Sequence, residues 1–335
     1  RILGRHSRMR AKKLEMLKGL KINRGLTHAF SSEMAGLDGQ HILDIENLQE
    51  VNGSIGNSPS ATAYYAIHIK PGEAKALDYI KRHIDPDGGA PNVAPFDIFE
   101  PAWTLWNLSL LEMPDENRLE LFKPHLDELA RQWIPGKGIG HASEFTPKDS
   151  DDTALVYELL KRFDYPVDIE AVLSYEEQTH FRCFALEANP STSANIHVLG
   201  ALKAAGFDQK HPSVQKILGF LKKTHIDQRF WFDKWHASPY YPTTHAIIAA
   251  HGLDDCLCRD AIAWLVETQK NDGSWGYYEA STGEESAYCL QALLYWQKMG
   301  GEVPLQAIKK GQNWLSEHKS PPYPPLWIGK GLYSP

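Results

Sequence analysis

A loose internal repeat limits this chain more than any other feature. Each unit has a glycine or aromatic turn, a short polar loop, then a helix of small residues. Gln269-Lys270-Asn271-Asp272-Gly273-Ser274-Trp275-Gly276 leads into 285–293, and Asn52-Gly53-Ser54 leads into 60–66. Asp87-Gly88-Gly89 leads into 100–105, and Gly138-Ile139-Gly140 into a helix beginning near Asp149. Phe181-Arg182-Cys183-Phe184 precedes 193–199, and Phe230-Trp231-Phe232 precedes 244–248. Units spaced by about 40–50 residues fall in the range of repeat architectures, where each unit buries its apolar face only against its neighbours. Between them, 73–83, 119–133 and 212–223 space apolar residues three and four apart, as amphipathic helices do. Strand-like alternation is scarce. The expected fold is all-α: a single domain over 1–335, an α/α barrel of six helical hairpins. Inner helices line the core, outer helices surround them, and the loops before the inner helices gather at one mouth. Pro321-Pro322-Tyr323-Pro324-Pro325-Leu326-Trp327 is held extended by proline. The segment 320–335 is expected to cap the barrel.

A chain of 335 residues can bury a large core. Its net charge of −7 argues against nucleic acid as a partner. No stretch reaches membrane-spanning length, and no signal-peptide core is present. Cys183, Cys256, Cys258 and Cys289 form no CxxC pair, and Cys256-Leu257-Cys258 is a weak metal signal. A reduced, cytoplasmic location is the simplest account of them. The N-terminus is basic, with Arg1, Arg5, Arg8, Arg10, Lys12, Lys13, Lys18, Lys21 and Arg24 against a lone Glu15. It reads as a solvated helix face, or as a contact for an anionic substrate head or a membrane surface.

The run Lys148-Asp149-Ser150-Asp151-Asp152-Thr153-Ala154 opens an apolar helical pattern. Asp149 followed by Asp152 has the spacing of a helix N-cap, and acidic residues suit a first helical turn. Carboxylates packed this closely also repel one another, which raises at least one pKa. A carboxylic acid that keeps its proton near neutral pH is what general acid catalysis needs. The residues alone leave both readings open.

Other stretches bear on the choice. Asp149-Ser150-Asp151-Asp152-Thr153-Ala154 resembles the DxDDTA motif of class II terpene cyclases. Gln269 through Trp275 resembles their QxxDGSW repeat, and Ser58-Pro59-Ser60-Ala61-Thr62-Ala63 their SPSATA stretch. Gly88-Gly89-Ala90-Pro91-Asn92-Val93 is similar to the GGVPNV of copalyl diphosphate synthases. Trp327-Ile328-Gly329-Lys330-Gly331-Leu332-Tyr333 is similar to their WIGKxLY. The matches keep the family's order over nearly the whole chain. The resemblance implies an α/α barrel that protonates an alkene of a linear prenyl chain and cyclises it through carbocations. It implies Asp151 as the acid, Asp149 and Asp152 as supporting carboxylates, and His197 as the hydrogen-bond partner of the acid.

The cation must be kept from water and steered by π surface. Tyr65, Trp103, Tyr157, Trp231, Trp235, Tyr241 and Tyr288, each on or just before an expected inner helix, are candidates to line the pocket. Any one of them can equally be core. In plant copalyl diphosphate synthases a His–Asn pair holding a water ends the reaction. Asn92 matches that Asn, but the His position falls near Ser32, with His28 four residues away. No acidic magnesium-linked motif precedes the SPSATA stretch, and no class I metal motif is present. No cofactor is therefore expected, and magnesium enters only with a diphosphate substrate. The expected substrate is a hydrophobic prenyl chain on an aromatic acid, as in meroterpenoid cyclases of the merosterolic acid synthase type. The alternative is a copalyl-type cyclase acting on geranylgeranyl diphosphate. Two other classes compete: an α/α-barrel glycoside hydrolase, which needs two carboxyl groups about 5–9.5 Å apart across a polar cleft, and a non-catalytic helical-repeat scaffold. An aromatic site favours the cyclase, a polar cleft the hydrolase, and no site the scaffold.

Overall fold

A computed structural model describes residues 15, 19–25, 36, 39–111, 115–187, 189–319 and 323–328, with the backbone alone at 115–119. Most of the basic N-terminal stretch, His28, Ser32, 320–322 and 329–335 lie outside the described residues. Two short 3₁₀ turns precede the helices α1 (Pro59–Tyr64), α2 (Ala74–His83), α3 (Phe99–Ser109), α4 (Asp115–Gln132), α5 (Ser150–Arg162) and α6 (Ile169–Leu173). The chain continues through α7 (Thr192–Ala204), α8 (Pro212–Thr224), α9 (Tyr240–Ala250), α10 (Asp255–Glu267), α11 (Gly283–Lys298) and α12 (Leu305–Glu317). A π-helical turn, Tyr65–Ile69, extends α1. Among the described residues no strand forms, only isolated bridges. No described helix is long and apolar enough to cross a membrane.

The helices begin where local chemistry starts them. Side-chain oxygens of Ser58, Asp149, Ser191 and Thr282 accept from the backbone amide three residues on, capping α1, α5, α7 and α11. The repeat also has a fixed internal bond. In five of the six hairpins, all but that of α3, the fourth residue after the inner helix's N-cap accepts from the backbone amide of the loop before it. Thr62 takes Ile55 N (2.8 Å), Thr153 takes Ile139 N (3.0 Å) and Asn195 takes Phe181 N (2.8 Å). Thr243 takes Trp231 N (3.1 Å), and Ser286 takes Trp275 N (3.0 Å). The loops are alike as well: Gln49 donates to Gly53 O as Gln269 does to Gly273 O. Gly273 sits at φ +97°, and an added Cβ would lie 2.4 Å from Lys310 O, so only glycine lets α12 approach.

The helices α3, α5, α7, α9 and α11 pack side by side in that order. Gln291 of α11 donates to Asn107 O of α3 (3.4 Å), bringing the last of them to the first. The partners α4, α6, α8, α10 and α12 lie outside, and these five hairpins share one large core. The sixth expected unit, α1 with α2, is a hairpin of the same design. Its Ala61, Tyr65 and Ala76 join Ile22, Leu43 and Ile55 in a second apolar cluster. The N-termini of the inner helices meet at one mouth. Of the C-terminal segment, 323–328 is described: Trp327 bridges to His236, and Leu326 O accepts from Ala237 N (2.8 Å), so this extended segment lies over that mouth.

Candidate active site

The register of the repeat aims particular residues inward. The second and sixth residues after an N-cap lie one turn apart on one helix face. On α5 the second is Asp151. On α7 the sixth is His197. On α9 they are Tyr241 and His245, and on α11 the sixth is Tyr288. Asp151 Oδ1 stands 2.6 Å from His197 Nδ1, and its side chain keeps 14% exposure toward the mouth. His197 Nε2 lies 3.0 Å from His245 Nδ1.

The three carboxyl groups divide by environment. Asp149 is the N-cap of α5: its Oδ1 accepts from Asp152 N at 2.8 Å. Burial, then the charge of Asp151, pushes Asp149 up to about 7. Burial, then the charge of Asp149, pushes Asp152 well above the usual carboxylate range. Asp152 Oδ1 has no hydrogen-bond partner among the described residues. Burial also lowers the Lys148 ammonium beside them. Helix cap and acid cluster are therefore one feature, with two buried carboxyls behind and Asp151 in front.

This arrangement has a pH signature. A carboxyl with a folded pKa above its unfolded value binds more protons in the native state, so stability falls as pH rises between the two values. For Asp149 that window runs from 3.8 to about 7. Asparagine caps a helix as well as aspartate but does not titrate. Asp149→Asn should therefore flatten the decline of the urea midpoint between pH 4 and pH 7 set by this window. A slope equal to wild type would show that Asp149 does not titrate there.

In front of Asp151 the surroundings are aromatic. The Trp103 ring meets His197 edge-on at 5.4 Å, and Trp103 Nε1 donates to Tyr241 Oη at 3.1 Å. Phe99 stacks on Trp103 at 4.0 Å. Tyr241 contacts Tyr288 at 5.5 Å and Trp327 at 4.9 Å. Trp327 Nε1 donates to Glu284 Oε1 (3.0 Å), which also lies 3.2 Å from His236 Nε2.

The structure thus brings Asp149, Asp151, Asp152, His197, Trp103, Tyr241 and Tyr288 together, and it places the other expected residues elsewhere. Tyr65 lies in the second apolar cluster. Tyr157 faces outward against Trp133, with ring centres 6.2 Å apart. Trp231 is fully buried between hairpins, its Nε1 donating to Leu221 O at 2.9 Å. Trp235 braces the start of α7 by donating to Ser191 Oγ (3.1 Å), with Lys234 over its ring. Asn92 is exposed on the segment before α3. His245, Phe99 and Trp327 join the site, beyond the residues expected from the sequence. Register could have found His245, which stands in its helix where His197 stands in the previous one. Among the described residues no group of three metal-ligating side chains comes together.

Residues 167–323 match the family described as squalene-hopene cyclase C-terminal domain. The chain is 48% identical over 337 residues to the type B diterpene cyclase of Mycobacterium tuberculosis, covering 99% of this chain and 67% of that protein. It is 34% identical over 301 residues to an ent-copalyl diphosphate synthase of a Streptomyces species, covering 85% of this chain and 57% of that one. Among solved structures, ent-copalyl diphosphate synthase from Streptomyces platensis matches with a TM-score of 0.78 and 29% identity, over 96% of this chain and 64% of that chain. The type II terpene cyclase MstE from Scytonema shares the fold at a TM-score of 0.51 and 16% identity, over 66% and 68%. This chain therefore spans about two thirds or less of the longer proteins it is most like here.

Proposed function

The chain belongs to the class II terpene cyclase family, and from that premise we propose that it protonates and cyclises a linear prenyl chain of diterpene size, with Asp151 as the proton donor. The observation that carries this reading is the 2.6 Å contact of Asp151 with His197, with two buried carboxyls behind and aromatic rings before it. An alkene is a very weak base. Its protonation needs a strong acid held against it and a conjugate base that is stabilised at once. Asp151 is the only member of the cluster that reaches the mouth. An N–H from His197 to Asp151 Oδ1 stabilises the carboxylate that remains. Burial raises the pKa of both Asp149 and Asp152, which lessens the negative charge close to the cation. Trp103, Tyr241 and Tyr288, joined by Phe99 and Trp327, present π faces to that cation, each worth about 0.5–2 kcal/mol.

The relatives bear on the order in which head groups are to be tried. The copalyl diphosphate synthases among them support geranylgeranyl diphosphate as the first substrate to be tried. A geranylgeranyl chain on a dihydroxybenzoate is the second substrate to be tried. The protein should be incubated with each, with and without magnesium, in deuterium oxide. The expected product is a cyclic isomer that retains its head group and carries one deuteron at the initiating carbon. Release of diphosphate, or conversion of neither substrate, would count against this reading.

A further inference from the structure

His245 takes no part in the proton donation just described, yet it is built into the same chain of contacts. It is 1% exposed and stacked on Trp106 at 4.6 Å, with Tyr241 and Tyr288 against its other sides. Burial, which disfavours the charged imidazolium, holds it well below the usual histidine range, so it is neutral. A neutral imidazole carries one N–H, and its other nitrogen only accepts. His245 Nδ1 faces His197 Nε2 at 3.0 Å, while His245 Nε2 has no partner among the described residues.

With a neutral His197 beside it, those contacts allow two proton arrangements. In one, His245 Nδ1–H donates to His197 Nε2, and His197 Nδ1–H donates to Asp151 Oδ1. The proton of Asp151 is then on its other oxygen and free to leave. In the other, His197 Nε2–H donates to His245, so His197 Nδ1 is bare and takes the Asp151 proton into its own hydrogen bond. That second arrangement withholds the proton from an alkene. We propose that His245 is a positioning residue whose Nδ1–H holds His197 in the tautomer that donates to Asp151. The partner of a histidine's second nitrogen sets which nitrogen bears the proton. Leaving His245 Nε2 as an unpaired buried acceptor destabilises the fold, and such exceptions need a functional account.

This inference rests on Asp151 being the proton donor, but its first test does not need a substrate. In protein labelled with ¹⁵N-histidine, the His197 nitrogens are identified by their loss in His197→Asn. Wild type should show the Nδ1–H tautomer. His245→Phe should lose it, and His245→Gln, whose amide N–H can still donate, should keep it. With a turned-over substrate, His245→Phe should lower kcat by about tenfold to a hundredfold with KM unchanged. His245→Gln should recover most of that loss. An unchanged His197 tautomer in the Phe variant, or equal kcat for Phe and Gln, would overturn the proposal. If His245→Phe does not fold, a His245→Gln spectrum without the Nδ1–H signal would overturn it as well. If wild type converts no prenyl substrate, the reading of Asp151 fails separately, and the tautomer spectra alone decide the role of His245.

Discussion

Asp151→Asn is expected to abolish cyclisation, with turnover down by about 10²–10⁴-fold, while the protein stays folded. Asparagine has the same shape as aspartate, and its Oδ1 still accepts from His197. It has no transferable acid proton. Because the hydrogen bond from His197 to Oδ1 is kept, the urea midpoint should stay near wild type. The paired measurements are product formation and a urea melt on the same preparation. Near-wild-type product from a folded variant would remove Asp151 as the donor. Loss of product together with loss of fold would mean that Asp151 supports structure instead.

The second large effect is on stability. Trp275→Ala is expected to destabilise the fold by about 3–5 kcal/mol. The Trp275 ring is fully buried, and Nε1 donates to Leu265 O at 2.8 Å, at the end of α10. Its backbone N is tied to Ser286 on α11, so one residue joins α10 to α11. Gly311 of α12 lies against the ring, where even a Cβ would sit 3.0 Å from Cζ3. Alanine would leave a cavity among packed helices and leave Leu265 O with only the long 3.4 Å bond from Thr268 Oγ1. A shift of the urea midpoint corresponding to less than about 1 kcal/mol would show that Trp275 is not the wedge that joins α10 to α11. Trp231 makes the equivalent bond to Leu221 O, so its alanine variant should behave in the same way.

Trp231 and Trp103 show how much of the site could be read in the chain. Both are tryptophans at the start of an inner hairpin, and composition cannot separate them. Trp231 turns toward α8 and becomes core. Trp103 turns toward Tyr241 and faces the site. Tyr157 has the same ambiguity, and Trp133 settles it from the outer layer. His245 was legible only through register, because it repeats the position of His197 one hairpin later. The resemblance to class II cyclases supplied the pairing of Asp151 with His197, which spacing alone could not.

What the sequence by itself determined lies within a few residues along the chain. Asp149 caps α5 because a carboxylate three residues before a free amide can reach it. Five of the hairpins share one loop bond, in which a loop amide finds an acceptor four residues past the next N-cap. Such contacts need only the local geometry of a helix start. Only the tertiary structure decided which carboxyl meets His197, which rings surround it, and that a second histidine stands behind it. Asp151 and His197 are 46 residues apart in sequence and 2.6 Å apart in space. That distance is set by the packing of α5 against α7, and the packing depends on the apolar cores of both helices together.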